Sequence, residues 1–439
     1  MNASWLPGSL NSRVLRPGDP GYPMHSSTYT TRAHPAAVLL AQDTDDIATA
    51  LNAVRTAGVP VSVRSGGHAL SGRSSNDGGL VVDLSRLNKV EILDRERRLV
   101  RVGAGARWGE VAERLAGAGL AISSGDHGNV GVGGLATGGG IGWLARSYGL
   151  TIDHVVGADV ITTDGRRLRA APDGDTDLYW ALRGAGAGVG AVTSFDIEAV
   201  ELGDVAIAQL AFTVDADGRA LTDWASALTA SPRELSAVAT LMGHGGDLVL
   251  SVTAVVATAD ESAVRDALAP MLDLRPLQAT AQLAPYTALV SSAQQHRNIG
   301  QQQVTSTTAM LRDVDDATAY ALAQVARDPH QPILQFRSLG GAVNDIEPGT
   351  TAFAHRAHQF LVVGAVPGSD QATQLAKAWD PLLPHADGAY MGFETRTDSE
   401  IFDRVYPGIT GTRVRDLWRT YDSDGILRPL RIDTHADQP

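Results

Sequence analysis

Residues 36–58 show the first clear pattern of apolar and polar positions, an apolar run followed by a helical repeat. The run AAVLL predicts a buried strand. In the residues after it, apolar side chains recur three or four positions apart, as one face of an α-helix requires. Asp43 or Thr44 is suited to cap the start of that helix, and Gly58 is suited to end it. A strand followed by a helix is therefore predicted near the N-terminus.

Two further segments show the alternation that is typical of β-hairpins. A turn at residues 94–97 separates two alternating runs, and an Asp-Gly pair at residues 164–165 separates two more. Beyond about residue 203 the pattern changes to longer strands and helices, for example VAIAQLAFTV and DESAVRDALAPML. Residues 413–432 then predict a helix, an Asp-rich turn and a short strand. The pattern indicates mixed α and β structure in two parts.

Three glycine-rich segments, residues 64–72, 125–142 and 184–190, interrupt the first part. The second of them has nine glycines in eighteen positions. Because each glycine costs about 1 kcal/mol against alanine in a regular element, no helix or strand is expected there. Loops of this kind expose rows of backbone N–H groups, which bind phosphate oxygens without any basic side chain. A cofactor that carries a pyrophosphate is therefore predicted.

The glycine motifs do not match the common nucleotide-binding patterns. GAGAGVG at residues 184–190 has the letters of the dinucleotide fingerprint, but it follows a predicted helix, whereas that fingerprint follows a strand. The sequence contains no G-K-S or G-K-T tripeptide, so nucleotide hydrolysis through a P-loop is not expected. The loops therefore indicate another class of cofactor.

Composition narrows the classes of function. With 439 residues, the chain is longer than one core usually supports, which favours two domains. A net charge of −13 and a pI near 5.3 disfavour nucleic acid and anionic membranes as partners. No secretory signal or apolar run of about 18 residues is present, so a cytoplasmic protein is expected, and the composition indicates a bacterial source. The absence of cysteine excludes disulfides, thiolate nucleophiles and iron–sulfur clusters.

Several motifs, taken in order, resemble those of the PCMH-type FAD-binding fold of the vanillyl-alcohol oxidase superfamily. They are VRSGGHALSG, GDHGNVGVGGLATGGGIGWLARSYGL, DLYWALRGAGAGVGAVTSF, AFAHR, AYMGF and RVRDLWRTYDSDGIL. The nearest group is that of the berberine-bridge-enzyme-like and 6-hydroxynicotine-oxidase-like oxidases. The resemblance implies an α+β fold. A two-subdomain FAD-binding domain would cover residues 1–203, a substrate domain with a helix-covered antiparallel sheet would cover 204–385, and a C-terminal segment, 386–439, would return to the FAD-binding domain.

In this family the histidine of R-S-G-G-H is joined covalently to the 8α-methyl carbon of the flavin, which makes His68 the implied attachment residue. Some members add a second link from a cysteine at the position of His127, but this chain has no cysteine. The resemblance therefore implies FAD bound through His68 alone. His127 would lie near the ring, where it binds substrate, tunes the ring or only makes loop hydrogen bonds. The positions implied to bind FAD are Arg64, Ser65, Gly66, Gly67, His68, Ala69, Ser71, Gly125, Asp126, Val130, Gly131, Gly133, Gly134, Gly138, Gly139, Gly142 and Val192.

Val130 matches a position close to the flavin at which valine accompanies access for oxygen. The resemblance thus implies an oxidase that removes a hydride from a C–H beside nitrogen or oxygen and passes the electrons to oxygen, giving hydrogen peroxide. The substrate would be a small secondary metabolite, alkaloid, aromatic compound or sugar, with cyclisation or desaturation as further outcomes. Two alternatives stay open, a dehydrogenase of the same fold and a non-catalytic flavin-binding protein. A monomer or a homodimer is expected.

The motif AYMGFE aligns with the family's Tyr-x-Asn-Phe strand. This makes Tyr390 a candidate base or substrate anchor, with a packed tyrosine as the alternative. Because side chains alternate along a strand, Glu394 is expected on the same face, and Tyr390, His127 and Glu394 are the catalytic candidates. Gly392 stands where asparagine is usual, so one polar contact of the family is missing. At residues 428–432 the family's asparagine contact to the flavin also has no counterpart.

Other polar residues receive structural interpretations. His355 and His358 are three positions apart, but no third ligand is apparent, so no metal site is predicted. Tyr406 is expected to pack before the last helix. His244 and His296 are expected in loops, either at the mouth of a substrate site or in solvent.

Overall fold

The computed structural model describes residues 3–244, 247–290 and 298–427. It contains helices and mainly antiparallel sheets, which confirms the predicted α+β class. Its buried apolar side chains form two large cores. One is built from residues 3–199 and 352–427 and is called the N-terminal core, and the other, built from residues 206–382, is called the sheet core. None of the helices in the described ranges is both long and apolar enough to cross a bilayer.

Strands and helices are numbered in chain order over the described residues. The strands are β1 (Val14–Leu15), β2 (Ala37–Leu40), β3 (Val61–Arg64), β4 (Leu80–Asp83), β5 (Val90–Asp94), β6 (Leu99–Gly103), β7 (Leu120–Ala121), β8 (Val155–Ile161), β9 (Arg167–Ala170), β10 (Ala191–Glu198), β11 (Val200–Glu201), β12 (Asp204–Val214), β13 (Leu235–His244), β14 (Asp247–Val256), β15 (Gln278–Pro285), β16 (Val304–Leu311), β17 (Ile333–Ser338) and β18 (Phe360–Pro367). The helices are α1 (Tyr22–Ser26), α2 (Thr44–Ala57), α3 (Trp108–Ala116), α4 (Val132–Gly138), α5 (Ala145–Tyr148), α6 (Thr176–Ala185), α7 (Arg219–Ala230), α8 (Glu261–Leu272), α9 (Asp316–Ala326), α10 (Ala372–Trp379), α11 (Ser399–Val405) and α12 (Ile409–Tyr421).

Three small sheets contribute to the N-terminal core. In the first, β2, β4 and β3 run parallel, and β1 pairs with β2 in the antiparallel direction. The second is antiparallel, with the order β5-β6-β10-β8-β9, and in the third β11 pairs with β7. The predicted hairpins are confirmed as β5–β6 and β8–β9. The loops that follow β3 and β7, and the loop that precedes β10, all reach one cavity.

Helix α2 shows how the local sequence sets the bounds of an element. The carboxylate of Asp43 accepts a hydrogen bond from the backbone N–H of Asp46 at 2.9 Å, so it caps the helix as predicted. Gly58 follows the last turn with a φ of +64°, a left-handed conformation that glycine adopts at little cost. Ile47 and Leu51 are fully buried and hold the helix on the N-terminal core.

A seven-stranded antiparallel sheet forms the second part, in the order β15-β12-β14-β13-β17-β18-β16. Helices α7, α8 and α9 cover one face, where the sheet core lies. Along β17, Leu334 and Phe336 belong to this core, whereas Ile333, Gln335 and Arg337 point the other way and line the cavity. Because side chains alternate across a strand, one face supplies a core and the other a wall of the cavity.

The chain returns to the N-terminal core at its C-terminal end, where α11 and α12 pack. The indole N–H of Trp418 donates to the carbonyl of Ala185 at 2.8 Å. Tyr406 is buried and its hydroxyl donates to the carbonyl of Gly184 at 3.1 Å, which confirms the predicted packing role. The short strand predicted near residues 428–432 lies outside the described residues.

Part of the glycine-rich segment 125–142 is helical, contrary to the expectation from its composition. Helix α4 contains three glycines within seven residues. Val132 and Ala136 are buried in the N-terminal core, and their packing offsets the low intrinsic helix preference of glycine. The prediction that no regular element forms here was wrong because it weighed local propensity without tertiary packing.

Candidate functional site

A cavity of about 840 Å³ lies where the glycine-rich loops of the N-terminal core meet the exposed face of the seven-stranded sheet. Its lining includes residues 65–70, parts of 125–138 and parts of 186–190, so all three glycine-rich segments contribute to it. Strands β16, β17 and β18 supply the opposite wall. Since these segments are far apart in the sequence, their convergence supports a common ligand.

His68 lies in this cavity, on the loop that follows β3. Its ring centroid is 4.8 Å from that of Tyr29 and 5.6 Å from that of His127, which also lines the cavity. The fold thus brings together the two histidines that were predicted to adjoin a flavin ring. The imidazole of His68 is half-buried and accessible from the cavity, as a nucleophile toward a bound ring must be.

Most of the positions matched to FAD line the cavity. They are Ser65, Gly66, Gly67, His68, Ala69, Gly125, Asp126, Val130, Gly131, Gly133, Gly134, Gly138 and Val192. The predicted positions that do not line it are Arg64, Ser71, Gly139 and Gly142. The matched positions therefore lie on loops that reach the cavity, but not every residue in these loops faces it.

Packing within the protein accounts for three of the positions that do not line the cavity. Arg64 is buried with its Nε 3.3 Å from the carboxylate of Asp83, and it donates to the carbonyl of Ser27 at 2.7 Å. A Cβ on Gly139 would lie 2.9 Å from the ring of Tyr390, and one on Gly142 would lie 2.2 Å from a backbone oxygen. These residues pack behind the residues that line the cavity and so help to fix the position of its walls. Ser71 also lies outside the lining.

Other glycines are required where the loops touch each other. A Cβ on Gly66 would lie 2.3 Å from the backbone nitrogen of Gly131, and a Cβ on Gly131 would lie 2.1 Å from that of Gly66. At Gly134 and Gly138, in contrast, a Cβ would have no atom within 4 Å, and both residues line the cavity. The loops therefore meet tightly and leave a backbone-lined space beside His68. Such a space fits a large cofactor with a pyrophosphate.

An ion pair crosses the cavity between its two walls. Arg337, on β17, donates from Nε and Nη2 to one carboxylate oxygen of Asp126 at 3.0 and 2.6 Å. Its guanidinium lies over the ring of Phe393, 4.0 Å from the centroid. The sequence analysis identified Asp126 but missed Arg337, Phe393 and Tyr29. The alternation in ILQFRS, residues 333–338, is the signal that could have indicated a polar wall at Arg337.

Tyr390 lines the cavity, and its hydroxyl accepts a hydrogen bond from the backbone N–H of Gly140 at 3.1 Å. Burial raises the pKa of this hydroxyl above its usual value near 10, so it keeps its proton at neutral pH. A hydrogen-bonding anchor therefore fits Tyr390 better than a base. A Cβ on Gly392 would lie 2.4 Å from the Tyr390 ring, so the glycine that replaces the family's asparagine leaves room for that ring.

Glu394 lies outside the cavity lining. Met391–Phe393 is a 3₁₀ turn rather than a strand, so the alternation that placed Glu394 beside Tyr390 does not apply. The carboxylate is fully buried and accepts hydrogen bonds from Thr307 Oγ1 at 3.0 Å and from the N–H of Thr308 at 3.2 Å. The prediction that Glu394 shares a face with Tyr390 was wrong. Its contacts instead attach this turn to β16.

The buried position of Glu394 predicts a pH-dependent stability. Burial raises the pKa of this carboxyl from 4.5 to about 7. Between these values the folded chain holds a proton that the unfolded chain has lost, so the free energy of unfolding falls as the pH rises, by about 3 kcal/mol in total. Glu394→Gln cannot ionise and should lack this loss. Urea unfolding at pH 5 and pH 8 should show that the variant gains stability relative to wild type as the pH rises.

Glu113→Gln is the matched control for this experiment, because Glu113 is an exposed glutamate on α3. It should follow the wild-type pH dependence at both values. If Glu394→Gln also followed wild type, the carboxyl of Glu394 would not be titrating between pH 5 and pH 8.

The remaining histidines that the sequence singled out lie away from the cavity or outside the described side chains. His355 is buried with Nε2 3.2 Å from a backbone carbonyl oxygen, and burial lowers its pKa to about 4. His358 is also buried, and its Nε2 hydrogen-bonds to the carboxylate of Asp387. Both have structural partners, as expected. His244 is the last residue of β13, so the prediction that it lies in a loop was wrong, and its side chain lies outside the described part of the structure. The prediction for His296 falls outside the described residues.

Comparison with known proteins assigns the N-terminal loops and strands to a known type of domain. Residues 35–171 match a family described as an FAD binding domain. The (R)-6-hydroxynicotine oxidase of Paenarthrobacter nicotinovorans is 35% identical over 198 residues, which are 45% of this chain and 43% of that protein. The alignment thus spans less than half of the relative's length.

Solved structures are similar along almost the whole chain. A chitooligosaccharide oxidase has a TM-score of 0.86 at 21% identity, with 96% of this chain and 98% of that chain covered. The glucooligosaccharide oxidase of Acremonium strictum, described with a 6-S-cysteinyl, 8α-N1-histidyl FAD, has a TM-score of 0.81 at 22% identity, with 95% and 98% covered. At these identities the likeness establishes the fold. Residues 35–171 thus match an FAD binding domain, and the chain as a whole shares its fold with the two oligosaccharide oxidases.

Proposed function

We propose that this protein is an oxidase that holds FAD covalently through His68. It removes a hydride from a C–H bond beside nitrogen or oxygen of a small organic substrate, and oxygen is the second substrate, reduced to hydrogen peroxide. Bound FAD would supply the ring that takes the two electrons. The observation that carries this proposal is the position of His68 in the cavity that three glycine-rich segments form.

A single covalent link is favoured by the absence of cysteine. The relative from Acremonium strictum is described with both a cysteinyl and a histidyl bond to its flavin. This chain has no cysteine, and His127 stands at the position that the resemblance assigns to the second link. Its ring is 5.6 Å from that of His68. We infer that His68 carries the bond alone and that His127 contacts the same part of the ring without a bond.

The substrate would lie between the flavin and the wall formed by β16, β17 and β18. The hydroxyl of Tyr390 keeps its proton, and no described residue accepts it, so Tyr390 can donate to a substrate oxygen or nitrogen. Ile333 and Val363 line the same wall and would exclude water from the reacting C–H bond. In this proposal Tyr390 orients the substrate, and the apolar side chains keep the site dry.

Access of oxygen to the reduced flavin separates an oxidase from a dehydrogenase of the same fold. Val130 lines the cavity at the position that the resemblance links to this access. We expect photoreduced wild type to be reoxidised by air within seconds. Val130→Leu, whose longer side chain narrows the cavity, should react roughly tenfold more slowly, an increase of about 1.4 kcal/mol in the barrier. Stopped-flow mixing with oxygenated buffer, followed by flavin absorbance, measures both rates without a substrate.

Val304→Leu is the matched control, because it makes the same change at a partly exposed valine on the opposite wall of the cavity. It should leave reoxidation close to wild type. Slow reoxidation of wild type itself would indicate a dehydrogenase. Equal slowing by both valine variants would remove the special role of Val130, and a purified protein without flavin would contradict the proposed function as a whole.

A further inference from the structure

Among the side chains that the structure describes, Arg73 is a cation of the cavity lining without a charged partner. It lies on the turn that follows His68, where Gly72 N–H donates to the carbonyl of Ala69 at 3.0 Å and Ser75 N–H donates to that of Gly72 at 2.9 Å. Across residues 3–244, 247–290 and 298–427, no hydrogen bond, ion pair or ring contact is formed by its guanidinium. An arginine keeps its proton at neutral pH, so this charge persists.

The other charged side chains of the cavity balance each other. Arg337 and Asp126 form an ion pair with 2.6 Å between Nη2 and Oδ2. Asp126 is the one carboxylate among the described lining residues, and it is already engaged in this pair. Arg73 therefore leaves the lining with an uncompensated positive charge.

An uncompensated charge that has lost part of its contact with solvent is unfavourable. Loss of solvent lowers the pKa of Arg73, which reflects the same penalty. The titratable groups that face it are the hydroxyls of Tyr390 and Tyr406, not carboxylates. A bound anion would remove the penalty, and the planar guanidinium can donate two parallel hydrogen bonds to the oxygens of a carboxylate or phosphate.

We propose that Arg73 is an anion-binding residue that holds a carboxylate or phosphate oxygen of the ligand in this cavity. The inference rests on the proposed function for the identity of that ligand. The oxygen belongs either to the diphosphate of FAD or to a carboxylate carried by the substrate. In both cases the anion compensates the charge that the protein leaves unpaired.

The test compares purified wild type with Arg73→Gln and measures two properties. One is the amount of FAD per chain, and the other is the affinity for benzoate in calorimetric titration, with benzamide as the uncharged counterpart. If the anion is the diphosphate, Arg73→Gln lowers the FAD content roughly tenfold or more. If the anion is a substrate carboxylate, the FAD content of Arg73→Gln equals that of wild type. The affinity for benzoate then falls roughly tenfold or more, while the affinity for benzamide does not change.

Two further variants keep the result interpretable. Arg73→Lys retains the positive charge but lacks the planar guanidinium, so it should preserve part of whichever property Arg73→Gln loses. The lysine variant also keeps the test decisive if the glutamine variant does not fold. Arg86→Gln removes an exposed arginine and should change neither property. Unchanged FAD content together with unchanged behaviour toward benzoate in Arg73→Gln would overturn the proposal. Absence of flavin from wild type would instead contradict the proposed function, and the benzoate titration would still decide the role of Arg73.

Discussion

Gly131→Ala is expected to leave the purified protein with little flavin. The new Cβ would lie 2.1 Å from the backbone nitrogen of Gly66 and 2.1 Å from Oγ of Ser65, so the two loops must separate. The φ of Gly131 is −74°, a value that alanine adopts readily, so the collision alone causes the effect. Overpacking of this kind costs about 1–3 kcal/mol. We expect FAD content to fall roughly tenfold or more, because the Gly66 loop carries His68.

The absorbance ratio of flavin to protein after gel filtration measures this loss, and urea unfolding measures the change in stability. Gly117→Ala is the control, because a Cβ there has no atom within 4 Å and its φ of −62° suits alanine. It should keep the wild-type flavin content and stability. If Gly131→Ala also kept both, the tight contact between the two loops would not shape the cavity as described.

Asp153→Asn is expected to cause the largest loss of stability. Arg356 donates from Nη1 and Nη2 to the two carboxylate oxygens of Asp153 at 2.9 and 2.6 Å, and the two side chains are only 1% and 6% exposed. The pair joins a turn beside the glycine-rich loops to the segment before β18. Neutralising one member leaves the other as an uncompensated buried charge, which costs about 3–5 kcal/mol. Urea unfolding at pH 7 measures the difference in free energy from wild type.

Asp345→Asn tests whether burial is the cause. Asp345 forms a similar ion pair with Arg233 at 2.7 Å, but both side chains are about half exposed. Solvent screens such pairs, so this variant should lose far less stability than Asp153→Asn. Similar losses in the two variants would show that burial of the Asp153–Arg356 pair does not set its contribution.

The parts of the structure that could be predicted from the sequence depend on short-range signals. The capping of α2 by Asp43 and its end at Gly58 follow from side chains within a few residues. The two hairpins follow from alternation around a turn. The loop with His68 was located by its motif, and in the structure all three glycine-rich segments line the cavity beside it.

The parts that could not be predicted depend on tertiary contacts. Arg337 meets Asp126 across 211 positions of sequence, and nothing local to either residue indicates the pair. Glu394 was misplaced because a strand was assumed where the chain makes a 3₁₀ turn. The contact between the Tyr390 ring and Gly392, where a Cβ would lie 2.4 Å from the ring, likewise depends on the folded turn. Arg73 was overlooked because the residues near it in the sequence do not indicate which described side chains surround it in the fold.

The fate of flavin in acid-precipitated protein tests the central claim most directly. A covalent bond through His68 predicts that the wild-type pellet keeps its flavin after washing in acid and that the supernatant is colourless. His68→Ala has no cysteine to replace the link, so any flavin that it binds should pass entirely into the supernatant. Flavin absorbance of both fractions gives the result. A colourless wild-type pellet with free flavin in the supernatant would contradict the covalent attachment at His68.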